Sequence, residues 1–442
     1  MNEVKLFEKN RTQIKEIFEL DDSSIDMLAF EASRIEVLSK IIKYPFLTHG
    51  LLALLSNIIY SIKGLKRNLR ISNGDFVFIS CPDSVFRTKT IDLIAGGLNY
   101  CLIYLPNFHI NAALKYHKYF KSKGIKTFFP TIHLSYVLKA HRKVRSFTQI
   151  MDGFDKSIDC VKMLFVLSHY AIYDEVVKTY MNQIKDFKGK WVLEHDKYYF
   201  LASVIDLHKE RKACTMLQHG VFFRVSANYI PLFCDRVLCC SEREKRIYIE
   251  NGVDASRITV FGAPLQTLQL SQENRVSCNE QYDLLLLMTE VKDINKEIMQ
   301  KVLFHVKKEY NNVLVRMRPR SRINDENMLS EALQGMTISP AGTTISNDII
   351  RCRKVISFSE DANVEVVKFN KPFVYIWTEG ERDLESMGNC GTEDNFEKEI
   401  RKLMTQDNYS TFGSDKYKEI LGENDVRELR KNFHNYINTY PI

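Results

Sequence analysis

The pattern of hydrophobic and polar positions changes texture twice along the 442-residue chain. Over residues 1–70, apolar positions recur at helical spacing through Ile14, Ile17 and Phe18, and again through Leu28, Ile35 and Leu38. This predicts a helical N-terminal segment. From residue 71 onward, short apolar runs alternate with stretches of helical period. Phe76–Cys81, Cys101–Leu105, Lys126–Phe129, Trp191–Glu194, Cys214–Leu217, Arg236–Cys240 and Thr259–Phe261 read as strands, with Ile110–Lys121 and Glu242–Asn251 as helices between them. A second series follows the polar segment 271–281. Its strands are Asp283–Met288, Val313–Met317, Val355–Phe358 and Phe373–Trp377, and the chain ends in the helical pattern Asp425–Ile437. Strands alternating with helices predict parallel sheets covered on both faces, and burial of both faces accounts for the run DLLLLM at 283–288. The expected fold class is α/β. A helical segment at 1–70 precedes a Rossmann-like domain at 71–264. A second Rossmann-like domain, at 265–442, includes the C-terminal helices.

Length and composition narrow this little. At roughly 100–200 residues per domain, the chain holds two or three domains. With 45% hydrophobic and 26% charged residues it is an ordinary globular chain rather than a disordered one. The net charge of +7 suits an anionic small ligand or an anionic surface. It is too diffuse for nucleic acid, which calls for a basic stripe with interleaved aromatics. Ten cysteines are scattered, with Cys239 and Cys240 adjacent and no metal-ligand spacing. They read as buried free thiols of a reducing compartment, and no metal or cofactor is expected. The N-terminal MNEVKLFEKN lacks the apolar core of a secretory signal. The apolar stretch 46–62 is shorter than the ~20 residues a span needs, and it carries His49, Ser56 and Asn57. It reads as an amphipathic helix whose flank of Lys63, Lys66, Arg67 and Arg70 can touch anionic lipid. The expectation is a cytoplasmic protein, peripheral to the inner face of the membrane.

In doubly wound sheets, ligands bind outside the carboxyl ends of the strands, so the residues just after each strand are the candidates. The run Cys214–Leu217 leads into Gln218-His219-Gly220. Gly220 permits a sharp turn, and His219 at the strand end can act as a base or as a donor to phosphate. Arg236–Cys240 leads to Ser241, a helix N-cap, and Ile258-Thr-Val-Phe-Gly262-Ala-Pro264 closes the first half, with Gly262 as a structural turn. Val315-Arg316-Met-Arg318-Pro-Arg320 clusters guanidinium groups at a strand end, a geometry that matches phosphate. The run ending at Phe358 is followed by Ser359, expected to cap a helix that carries Glu360, Asp361 and Glu365. The N–H groups of that helix can receive a diphosphate, and Glu365 can accept hydrogen bonds from ribose hydroxyls. Asp152, in Met151-Asp-Gly-Phe-Asp155, is either an acceptor base or the residue of a simple Asx turn.

As a set, His219-Gly220, Asp235-Arg-Val with Ser241, Gly262-Ala-Pro264, and Ser359 with Glu365 and Lys371-Pro372 resemble GT-B glycosyltransferases of bacterial surface-polysaccharide assembly, of the capsule, O-antigen and teichoic-acid type. The resemblance spans about residues 190–380. It implies a GT-B-like pair of Rossmann-like domains facing across a cleft. A nucleotide-sugar donor would lie on the second domain at Arg316, Arg318, Ser359, Glu360, Asp361 and Glu365. A saccharide or lipid-linked acceptor would enter from the first, with His219 and Asp152 as catalytic candidates. His219, Arg318, Ser359 and Glu365 would then converge on the cleft. One departure stands out: where these families place a His-Pro pair, this chain has Arg318-Pro319. An arginine neutralises phosphate at every pH but cannot serve as a general acid. Two alternatives remain: a sugar-nucleotide epimerase of the same architecture, and a non-catalytic nucleotide-sugar-binding scaffold.

Overall fold

A computed structural model describes residues 74–80, 85–104, 110–128, 187–194, 214–218, 220–221, 232–264, 280–289, 296–318, 322–376, 390–391, 395–405 and 425–439, with isolated positions at 11, 12, 15, 135, 138, 139, 142, 267, 419, 421 and 422. The predicted N-terminal helices, the apolar stretch 46–62, Asp152 and His219 lie outside the described residues.

The chain forms two compact units. The first comprises residues 1–219, 225–268 and 423–442, and the second residues 220–224 and 269–422. In the first unit, β1 (Phe76–Ser80), α1 (Val85–Ile94), β2 (Tyr100–Tyr104), α2 (Ile110–Ser122), β3 (Lys126–Phe128), β4 (Lys190–Leu193), β5 (Cys214–Leu217), β6 (Arg236–Cys239), α3 (Glu242–Glu250) and β7 (Ile258–Val260) follow one another. Their strands make a parallel sheet in the order β3-β2-β1-β4-β5-β6-β7. The strand direction of winding reverses between β1 and β4, which is therefore the topological switch point of this sheet. After β7 the chain turns at Gly262, whose φ of 119° lies where a side chain would be strained.

In the second unit, β8 (Tyr282–Leu287), α4 (Lys296–Glu309), β9 (Val313–Arg316), α5 (Arg322–Met328), α6 (Ser330–Leu333), β10 (Thr337–Ile338), α7 (Ile345–Ile350), β11 (Cys352–Ser357), α8 (Glu360–Lys368), β12 (Phe373–Ile376), β13 (Cys390–Gly391) and α9 (Phe396–Thr405) follow. Their sheet is again parallel, in the order β10-β9-β8-β11-β12-β13, with the switch point between β8 and β11. Leu284 and Leu286 of β8 enter one hydrophobic cluster with α4 and α9, and Leu285 and Leu287 enter another with α7 and α8. The run of leucines is thus needed by both faces of one central strand. The two-residue strands β10 and β13 leave no periodic signal in the sequence.

The last helix, α10 (Val426–Thr439), corrects the sequence-based domain assignment. It belongs to the first unit rather than the second. Leu429, Phe433, Tyr436 and Ile437 form its apolar stripe and complete the core against Phe76, Phe78, Ile91, Val192 and Phe261. The Phe433 ring meets Phe76 edge-on at 5.2 Å and Phe261 at 6.0 Å. Lys190 donates to the Ile437 carbonyl, and Arg430 donates to Leu93 O at 3.1 Å. A helical period shows that an apolar face must be covered but not which sheet covers it.

Cys101, Cys214, Cys234, Cys239, Cys240 and Cys352 are free and buried. Burial pushes the Cys101 and Cys352 thiols up to about 12, so both are inert at neutral pH. Among the described residues no helix is long and apolar enough to cross a membrane.

Candidate functional site

The carboxyl edge of the second sheet gathers most of the predicted donor residues. β9 and β11 flank β8, so Arg318, just after β9, and Ser359, just after β11, stand on either side of the central strand. At about 4.8 Å between strands, the two strand ends are about 10 Å apart. Phe358 N–H donates to Leu287 O at 2.8 Å, which extends the β11–β8 ladder up to the start of α8. The N-terminus of α8 therefore opens at the switch point.

The turn into α8 is tied by Ser357. Its hydroxyl donates to Ser359 O at 3.0 Å and accepts from Ser359 N–H at 3.1 Å. Ser359 occupies the N-cap position with an extended backbone, but its side chain makes no cap hydrogen bond. The sequence expectation of a side-chain cap is thus corrected: the turn is closed by the preceding serine. Glu360 and Asp361 are the first two residues of α8. Glu365, one turn further, accepts from Ser346 Oγ of α7 at 2.6 Å.

The two arginines part company. Arg316 Nη1 pairs with Asp348 Oδ2 at 2.6 Å, and Nη2 donates to Thr343 O at 3.0 Å. Asp348 is wholly buried and also accepts from Ser339 Oγ at 2.6 Å. The Arg316 charge is therefore balanced inside the unit by Asp348. Arg318, two residues on and past the end of the strand, is exposed. Residues two apart on an extended strand share a face, so what separates the two arginines is Asp348 of α7 beside Arg316 and the end of β9 before Arg318.

Several polar residues at this edge gave no sequence motif. Asn363, 0% exposed and four residues beyond Ser359 on α8, has no hydrogen-bond partner among the described residues for either its oxygen or its nitrogen. A buried amide left unpaired costs about 1–3 kcal/mol, so its retention calls for a reason. Ser346 and Asp348 both lie on the six-residue α7, and together they tie Glu365 of α8 and Arg316 of β9 to one short element.

At the carboxyl edge of the first sheet, β1, β4 and β5 end in or next to the buried polar residues Ser80, Glu194 and Gln218, and buried Ser241 lies two residues past the end of β6. Ser80 Oγ donates to Glu194, which is 2% exposed, across the β1/β4 switch point. Glu194 closes the predicted strand Trp191–Glu194, and a carboxylate ending an apolar run was the available signal. Gln218 Nε2 donates to Glu244 Oε2 at 2.8 Å, and Tyr248 Oη donates to Gln218 Oε1 at 3.2 Å. His219 follows Gln218 in the chain, outside the described residues, and Gly220 after it is half-buried. Among the described residues, no cluster of three His, Cys, Asp or Glu side chains is placed to hold a metal ion.

No protein-family model and no curated protein sequence matches the chain. Solved structures do. UDP-N-acetylglucosamine 2-epimerase from Rickettsia bellii superposes with a TM-score of 0.52 at 15% identity, covering 84% of this chain and 98% of that one. The co-structure of S. aureus MnaA with UDP gives 0.50 at 11% identity, covering 83% and 96%. The apo form of the lipopolysaccharide outer core galactosyltransferase WaaB gives 0.49 at 13% identity, covering 82% and 98%. The chain has a GT-B-like fold. At such identities the likeness carries the architecture alone, and the GT-B-like pair of Rossmann-like units agrees with the sheet orders described above.

Proposed function

We propose that this chain is a glycosyltransferase that uses a nucleotide-activated sugar, or polyol phosphate, in the assembly of a bacterial cell-surface polysaccharide. The observation that carries the reading is the second sheet's switch point, where the N-terminus of α8 and the exposed Arg318 stand on either side of β8. In open α/β sheets this is where a nucleotide sits, with its phosphates toward a helix N-terminus. The UDP bound in the S. aureus co-structure supports a nucleotide as the ligand class.

In the proposed reaction, an acceptor hydroxyl loses its proton to His219 while its oxygen bonds to the transferred group. The bond to the donor phosphate breaks, and the nucleotide leaves with the electron pair. Arg318 and the α8 N–H groups stabilise the negative charge that develops on it. Glu365, whose Oε2 accepts from Ser346 Oγ, accepts the ribose hydroxyls in this reading. Glu360 and Asp361, the first two residues of α8, belong to the same proposed donor site. The acceptor is a saccharide or lipid-linked saccharide, and contact with the inner face of the membrane belongs to the same proposal.

A second reading, a sugar-nucleotide epimerase, takes its support from the R. bellii 2-epimerase among the similar structures. Donor turnover with and without a lipid-linked acceptor separates the two. A transferase requires the acceptor, an epimerase converts the sugar nucleotide alone, and a scaffold does neither. Thermal-shift screening against nucleoside mono- and diphosphates comes first. A ligand at a hundredfold excess over Kd stabilises the protein by about 2.7 kcal/mol. If no nucleotide raises the melting temperature, the donor-site reading fails.

A further inference from the structure

The half-buried Glu365 is held by a residue that is itself firmly anchored. Ser346 is 2% exposed and lies on α7, and its hydroxyl donates to Glu365 Oε2 of α8 at 2.6 Å. A serine hydroxyl carries one proton, so this bond fixes where that proton points. Six residues make a poor helix by themselves, because one turn returns less than its nucleation costs. The stiffness of α7 comes from its contacts. Thr344 Oγ1 caps it by accepting from Asn347 N–H at 3.2 Å. Asp348 accepts from Arg316 Nη1 and from Ser339 Oγ, both at 2.6 Å, and Arg316 Nη2 donates to Thr343 O at 3.0 Å. Ile349 enters the apolar cluster that α8 joins through Ala362 and Val366. Ser346 thus presents its donor from an element fixed to β9, to the segment after β10 and to the core.

A glutamate side chain gains from such support. It has three rotatable bonds, and freezing them only when a ligand arrives costs affinity. Glu365 lies about 7.5 Å along the α8 axis from Glu360, the first residue of that helix. A nucleotide whose phosphates meet the first turn therefore brings its ribose alongside this carboxylate. A carboxylate only accepts, and both hydroxyls of a ribose can donate to it. A 2′-deoxyribose offers one donor fewer. A carboxylate locked in place tells the two sugars apart, whereas one free to swing adapts to either.

We propose that Ser346 is a positioning residue that, by holding Glu365, makes the nucleotide site of the second unit selective for ribonucleotides over 2′-deoxyribonucleotides. The inference rests on the donor-site reading given above and adds to it the sugar of the nucleotide.

The test measures Kd on the full chain for UDP, ADP, GDP and CDP and for their 2′-deoxy counterparts, and carries the tightest-binding pair forward. Wild-type protein prefers the ribonucleotide by about 10- to 100-fold, as for one hydrogen bond to a charged group. Ser346→Ala weakens the ribonucleotide by about 3- to 10-fold and leaves the 2′-deoxy compound unchanged, so the preference shrinks by that factor. Ser346→Cys, close in shape and a weak donor, serves where the alanine variant fails to fold and shrinks the preference in the same direction. In a Glu365→Ala background neither substitution changes the preference further. Both nucleotides weakened by the same factor is the mark of a merely structural serine and overturns the proposal. So does a preference that survives Ser346→Ala and Ser346→Cys but is lost in Glu365→Ala. If wild-type protein shows no preference, Glu365 does not read the ribose, and the proposal falls while phosphate binding stands. If none of the diphosphates binds, the donor-site reading itself fails.

Discussion

Arg316 and Asp348 form an ion pair at 2.6 Å in which the carboxylate is wholly buried, while Arg318, two positions along, is exposed. Truncating either partner of such a pair strands the other. Arg316→Ala should destabilise the second unit by about 3–5 kcal/mol, seen as a lower denaturation midpoint. Arg318→Ala should leave that midpoint where it is and slow turnover by about 10²–10³, the usual cost of one charge-stabilising group. If the two variants exchange phenotypes, the assignment of structural and donor-binding arginine is reversed.

Asn363 carries a second prediction. Its amide has neither donor nor acceptor satisfied among the described residues. Asn363→Leu keeps the branching and the number of heavy atoms and removes the unpaired groups, so the apo protein should gain about 1–3 kcal/mol. The same change should weaken nucleotide binding if the amide is satisfied by ligand. Calorimetric unfolding with and without nucleotide measures both. A variant less stable than the parent would mean that the amide is paired in solution.

Sequence periodicity located the interior strands of both sheets to within a few residues, because strands buried on two faces must be apolar throughout. It was silent on β10 and β13, two residues each at sheet edges, and on the destination of α10. For the site, strand ends drew attention to Arg318, Ser359 and Glu365 as neighbours of one edge. The partners that decide their roles were hidden. Asp348, Ser346 and Ser357 are unremarkable in the sequence, and only folding brings Asp348 beside Arg316, 32 positions away. A list of charged residues says where charge is, whereas neutralisation depends on a contact between distant positions.

The helix α10 gives a third prediction. Phe433 packs edge-on against both Phe76 and Phe261. Phe433→Ala should cost about 3–5 kcal/mol, felt in the first unit. Amide exchange should accelerate in β1 and leave β8 protected. Acceleration in β8 instead would place the helix with the second unit.

A fourth prediction concerns pH. His117 Nδ1 lies 2.6 Å from Thr127 Oγ1, and its pKa is held below the ordinary histidine value, chiefly by burial and secondly by Lys121. The unfolded chain therefore takes up this proton at a higher pH than the folded one. Its contribution is fully present above about 6.5, the unperturbed value, and is lost as pH falls from there through the lower folded value. His117→Gln should flatten the stability profile in that interval. A profile that stays as steep as the parent's would assign the slope to other histidines.

The return of α10 to the first unit also bears on how the molecule is made. Residues 269–422 are threaded between two parts of the same unit, so a ribosome delivers the second unit whole before it delivers the helix that completes the first. Until residues 426–439 emerge, Phe76, Phe78 and Phe261 have no Phe433 to cover them. The earlier-synthesised half must then wait with an open apolar face while the later half folds, which inverts the N-to-C order in which domains usually mature. A stop codon between residues 422 and 426 would spare the second unit and leave the first one for chaperones and proteases to find.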